Sequence, residues 1–288
     1  MSFIKEDYIE SWEELKKIIN DNFTSQRLRH SWIFRGQNDY KWKLSTTIER
    51  LNLVVEESEI IEVFQRHTHL YTDTRKVGSK LEWLSLMQHH GAPTRLLDWT
   101  RSPYIAIFFA LNDVIIDIHS TERQYCALYA LNYYPINKKL FQGTYEFLFQ
   151  DDFMYENIIS IPTPEFEDIF FSKSFQDKSA VLPLIPFNSH TRLQIQQGLF
   201  LCPTHTIFPF EYNLMSTIEG IDYPIENIIR KYLIPVELKP QIITELNHMN
   251  INDATLFPGI EGYSRFLKKY YSLDNERDHA KVLKQRQR

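Results

Sequence analysis

Apolar positions along the chain fall into short blocks whose spacing switches between helical and extended. Ile9, Trp12, Leu15, Ile18 and Ile19 recur every three or four residues, which predicts an amphipathic helix over Tyr8–Phe23. Ser31-Trp-Ile-Phe-Arg-Gly36 predicts a short strand ending at a glycine. Helical spacing returns over about Glu57–Tyr71 and again over Lys80–His89, the second stopped by Gly91 and Pro93. Thr94–Trp99 reads as a brief buried strand leading into an almost wholly apolar helix from Pro103 to about Leu111. Tyr125–Leu131 and Lys231–Val236 are strand-like, and His190–Cys202 alternates and then runs apolar, enough for one or two strands. Pro240 suits the first turn of a helix carrying Ile242, Ile243 and Leu246, and a last helix ends near Tyr271.

From Pro135 to Phe187 this pattern gives way to polar and aromatic residues broken by prolines, which reads as an insertion around 135–187. Helices and strands follow one another at uneven spacing, without repeats or Gly/Ser-rich linkers. The predicted class is α+β: a single mixed domain with a central, mostly antiparallel or mixed sheet and flanking helices. Residues 1–30 would be a helical extension packed on the body, 31–272 the body itself, and 273–288 a polar, basic tail.

Composition narrows the chemistry. Only eight of 288 residues are glycine and no G-x-G-x-x-G or Walker pattern occurs, which argues against a glycine-rich nucleotide cradle. The net charge of −5 supplies no global basic field, so nucleic acid is not an indicated partner. Cys126 and Cys202 sit inside apolar runs and read as small buried hydrophobes. The first residues lack a signal-peptide apolar core and no segment reaches a membrane span, so the expectation is a cytoplasmic protein without a membrane partner. No C-x-x-C or H-E-x-x-H spacing occurs, and no metal is expected.

Three segments carry candidate chemistry. The densest is Gln88-His-His-Gly-Ala-Pro-Thr-Arg-Leu-Leu-Asp-Trp-Thr-Arg-Ser-Pro-Tyr-Ile-Ala-Ile-Phe-Phe-Ala110. Thr100 or Ser102 can cap the apolar helix, and Pro103 fits its first turn. A buried helix start must satisfy its N–H groups with side chains or with an anionic ligand. Arg95, Asp98 and Arg101, beside His89 and His90, are compatible with either a braced cap or a phosphate or carboxylate pocket. In the second segment Arg35 projects a cation from a strand end, and Gly36 would permit a positive φ or a close ligand. In the third, Arg192, Gln194 and Gln196 would share one face of a strand.

Together these segments resemble the FRG domain family, named for its Phe-Arg-Gly motif. Phe34-Arg35-Gly36 matches that motif, and Gln88 to Pro103 matches the central signature almost throughout. Arg192-Leu-x-x-Gln-x-Gly-x-Phe200 and Thr255-Leu-Phe-Pro-Gly-Ile-Glu-Gly262 resemble a third and a closing block. The resemblance implies one pocket built from distant blocks, and bacterial members are associated with phage-defence or toxin-like loci. The block layout is similar to that of NAD-using ADP-ribosyltransferases. It implies NAD as co-substrate, with Arg35, Gly36, Gln37, Arg95 and Asp98 as cofactor-binding candidates. Arg35, His89, Thr100, Ser102, Gln196 and Glu261 are the catalytic candidates. Gln196 departs from the glutamate that such chemistry uses, so Glu261 or Asp98 would supply the acid, or the site would only bind. The expected partner is a small phosphate-containing ligand, with the macromolecular acceptor open. The alternatives are a metal-dependent nuclease built on Asp222, Glu237 and Lys239, or a non-catalytic binding module.

Overall fold

The computed structural model describes residues 4–23, 31–73, 77–116, 122–141, 179–186 and 189–271. It contains one seven-stranded sheet of order β1-β7-β4-β2-β3-β6-β5. The strands are β1 (Glu6–Tyr8), β2 (Trp32–Gln37), β3 (Leu97–Thr100), β4 (Tyr125–Asn132), β5 (Val181–Leu184), β6 (Gly198–Pro203) and β7 (Ile229–Pro235). Only β1 and β7 pair in parallel; the other neighbours are antiparallel. This is the α+β architecture with a mixed, mostly antiparallel sheet that the alternation of patterns predicts.

Helices cover both faces. Over one lie α1 (Trp12–Phe23), α5 (Pro103–Leu111) and α9 (Lys239–His248), whose Leu15, Ile19, Phe108 and Leu246 pack with Phe34, Leu128 and Tyr232. At the other end of the same face, α3 (Glu57–Thr68), α4 (Lys80–His89) and α7 (Thr191–Ile195) pack on Phe200 and Cys202. The second face, carrying Ile33, Trp99, Tyr129, Leu199 and Leu233, is covered by α6 (Tyr134–Phe141) and α8 (Phe210–Ile218). Short helices α2 (Thr47–Arg50) and α10 (Asp253–Leu256), and α11 over 260–271, complete the α-helices among the described residues. No helix among the described residues is long and apolar enough to cross a membrane.

The helices at Lys80–His89 and Pro103–Leu111 have their expected bounds. Three expectations shift. The first helix starts at Trp12 instead of Tyr8, because Glu6–Tyr8 joins the sheet edge and Ser11 Oγ accepts from Glu14 N. The span His190–Cys202 is not continuous strand. His190 Nδ1 accepts from Leu193 N and opens α7, and Gln197 at φ 48° turns the chain into β6, so Gln194 and Gln196 do not line a strand. Val181–Leu184, inside the expected insertion, is an edge strand of the sheet, whereas 142–178 and the tail 273–288 fall outside the described residues.

Gly36 fixes how α5 lies on β2. A Cβ there would fall 1.9 Å from the Ala106 carbonyl oxygen and 2.5 Å from Ala110 N, both helix backbone. Its φ is not positive. The glycine therefore serves neither a left-handed turn nor ligand approach but the direct seating of α5 on the strand. Gly36→Ala has no flexible neighbour to displace, and we expect a loss of about 3 kcal/mol in urea unfolding, with aggregation on expression as the companion sign.

Candidate functional site

Side chains alternate across a strand, so the Phe-Arg-Gly run is split by the sheet. Phe34 and Gly36 face α5, while Arg35 emerges on the opposite face, beside its β4 partner Tyr129. Strands β2 and β3 share a single registered pair, Phe34 with Thr100. Beyond it, where a ladder would continue, Arg35 Nη1 donates to the Asp98 carbonyl at 2.5 Å. That carbonyl is the sole hydrogen-bond acceptor of Arg35 among the described residues, and the buried Nε has no partner. Burial pushes the guanidinium below the ordinary arginine range; Asp98 opposes that shift and Arg50 adds to it. Among the described residues Arg50 itself meets only neutral oxygens, the Ser45 carbonyl at 2.5 Å and Thr47 Oγ1 at 3.0 Å. On the Arg35 face, Gln37 is 6% exposed, donates Nε2 to the Lys43 carbonyl at 3.2 Å, and leaves Oε1 unpaired. Burial raises the Tyr129 phenol, and Glu211 and Glu6 add to the rise.

On the α5 face, Asp98 organises a second group. Gly91, at φ 80°, turns the chain at the end of α4, and Thr94 Oγ1 then donates to Gln88 Oε1 at 2.6 Å. Gln88 Nε2 donates onward to the exposed Asp98 carboxylate at 2.6 Å. His89 follows, its ring 4.1 Å from that of His190 and its Nδ1 buried without a partner. Burial lowers His89, with His90 and Arg192 adding, and it takes His190 down to about 4, with His89 adding.

The remaining candidates are held by the fold. Thr100 Oγ1 donates to the Gln196 carbonyl at 2.7 Å and accepts from Ser102 N at 3.1 Å. Ser102 Oγ caps α5 through Ile105 N at 3.3 Å, and Gln196 Nε2 donates to the Leu256 carbonyl at 3.0 Å. Arg95, 5% exposed, grips Glu57, 4% exposed, through Nε and Nη2, and donates to the Thr204 carbonyl at 3.1 Å. Glu261 is exposed on α11 and no contact joins it to Thr100 or Gln196. The acids and lysine of the nuclease reading are also dispersed. Glu237 accepts from Arg123 at 2.6 Å, Lys239 donates to the Asn112 and Val114 carbonyls, and Asp222 is not joined to either. Among the described residues no group of three or more His, Cys, Asp or Glu could hold a metal.

His190 is the residue that a strand reading of the third block hid; its capping role becomes visible only when Thr191–Ile195 is a helix. Arg192 lies 4.7 Å from the Phe257 ring and Arg265 3.9 Å from the same ring.

The family model of the FRG domain matches residues 30–116. The chain carries an FRG domain. The matched FRG segment begins just before β2 and ends just beyond α5, so it holds Arg35, Asp98 and both strands of their junction. The third and closing blocks lie outside it. No curated protein and no solved structure matches the chain.

Two stability measurements separate fold from site here. Arg95→Met strands the Glu57 carboxylate in the core and should cost about 3–5 kcal/mol in urea unfolding, much of it recovered in the double variant with Glu57→Leu. His190 titrates near 4 when folded against an ordinary value of 6.5. Below 6.5 the unfolded chain takes up a proton that the folded chain refuses, so stability falls as pH drops from about 6.5 towards 4. His190→Asn, which keeps a capping acceptor, should show a shallower fall in urea midpoint over that range.

Proposed function

We propose that the FRG segment binds a phosphate-containing ligand where β2 and β3 part, with Arg35 as its cation. The observation that carries this reading is the guanidinium of Arg35, partly buried, with a neutral carbonyl as its one acceptor and its Nε unpaired. A desolvated guanidinium with spare donors is suited to an oxyanion that can take two parallel N–H bonds. Arg50 adds a second cation whose acceptors are uncharged, and Gln37 Oε1 offers an acceptor on the same face as Arg35.

NAD⁺ is the ligand we assign to this junction, with ADP-ribosyl transfer or NAD⁺ hydrolysis as the activity. The acid for that chemistry is Asp98, whose carboxylate stands on the α5 side of the junction and which the ligand reaches where β2 and β3 part. Its carboxylate is exposed, is oriented by Gln88 and lies in the fields of Arg35 and Arg192. Thr100, Ser102 and Gln196 contribute to this reading as braces of β3 and α5, since their polar atoms are engaged in the fold. A ligand-binding module that does not turn over is the second reading, favoured by that same engagement.

Calorimetric titration with ADP-ribose and NAD⁺, alongside chromatography for released nicotinamide, tests both. Arg35→Lys keeps the charge but loses the fork, and should weaken ligand binding about tenfold or more at an unchanged melting temperature. Asp98→Asn should abolish nicotinamide release while retaining binding. Saturable binding with no release assigns the binding module, and absence of binding by either ligand overturns the proposal.

A further inference from the structure

A second set of cations sits on the other side of the sheet, outside the FRG match. Arg192 on α7 and Arg265 on α11 both stack on Phe257, at 4.7 and 3.9 Å from its centroid. Neither guanidinium has a hydrogen-bond acceptor among the described residues, although Arg192 is partly buried. Among the described residues the carboxylate whose field reaches Arg192 is Asp98, and the charge of Arg265 works against it. Two like charges against one ring repel, and an anion that meets both would relieve that repulsion. Phe257 gives each a cation–π contact that positions the guanidinium without using its N–H groups. All the donors are therefore left for another partner.

The imidazoles next to them fit the same partner. His190 accepts from Leu193 N through Nδ1, which leaves the proton on Nε2 as a donor. His89, ring to ring with His190, holds a buried Nδ1 with no partner. Burial keeps both rings neutral at pH 7, so they add hydrogen-bonding capacity without further positive charge.

We propose that Arg192, Arg265 and the His89–His190 pair form an anion site, distinct from that of Arg35, for a multiply charged phosphate such as a phosphomonoester or diphosphate. Two guanidinium groups supply charge and paired donors for non-bridging oxygens, and the imidazoles supply neutral hydrogen bonds at the rim. A dicarboxylate has the charge but not the oxygen geometry of a tetrahedral group, and is the discriminating control.

Inorganic pyrophosphate is the probe, titrated calorimetrically into the full chain at about 0.15 M salt, where exposed non-specific charge is screened. Saturable binding is expected, weakened about tenfold or more in Arg265→Gln and in Arg192→Gln, with succinate binding at least tenfold more weakly than pyrophosphate. Arg265 is exposed, so its variant should fold normally even if the Arg192 variant does not. Arg265→Gln should leave ADP-ribose binding unchanged while it weakens pyrophosphate binding, which separates this site from the one at the β2–β3 junction. Absence of saturable binding, wild-type affinity in Arg265→Gln, or equal affinity for succinate would each overturn the proposal. Loss in Arg35→Lys but not in Arg265→Gln would transfer the binding to the FRG arginine and overturn it too.

Discussion

The backbone-to-backbone seating of α5 on β2 at Gly36 constrains everything around it. A strand that presents a glycine and a phenylalanine to a buried helix must present the intervening residue to the other face. Arg35 thus faces away from the helix start with which the family resemblance implies a shared pocket. The motif is a packing instruction and a chemical one together. Its glycine sets the helix height, and its arginine is delivered through the sheet to a place where few acceptors await it.

Asp98 connects the two faces. Its carbonyl receives Arg35 in the plane of the sheet, and its carboxylate meets Gln88 on the α5 side. The fields of Arg35 and Arg192 reach this one exposed carboxylate, and among the described residues neither guanidinium forms a close ion pair with it. The contrast with Arg95 is instructive. That arginine, three residues earlier, is locked to Glu57 and to backbone carbonyls in the core, and its charge is spent on holding α3 to the strand end. Arginines at neighbouring points of one sheet thus do opposite work, and the difference lies in whether a buried carboxylate reaches them.

Much of the fold was legible because it rests on local signals. Ser79 and Ser102 cap helices whose bounds follow from them, and Gly91 ends one at a positive φ. The cap on α5 was readable for the same reason. The third block was not, because Leu193 and Ile195 satisfy a strand alternation while His190 and Gln197 impose a helix and a turn through hydrogen bonding and backbone angle. Two further features escaped the pattern. Alternation in β2 tells which residues share a face, but not which face looks at α5. Nor does any local signal bring Arg265 to the ring of Phe257, since that depends on how α11 returns across α10. The helix Phe210–Ile218, with Phe210 and Leu214 in the core, also went unread.

The pairing of β2 with β3 through one residue pair has a mechanical side. Four strands lie to one side of that joint and three to the other, and the remaining ladders are all longer. A backbone tie of that length resists little shear. The two plates are held in register instead by α5, which spans the joint like a splint, and by the arginine wedged between them.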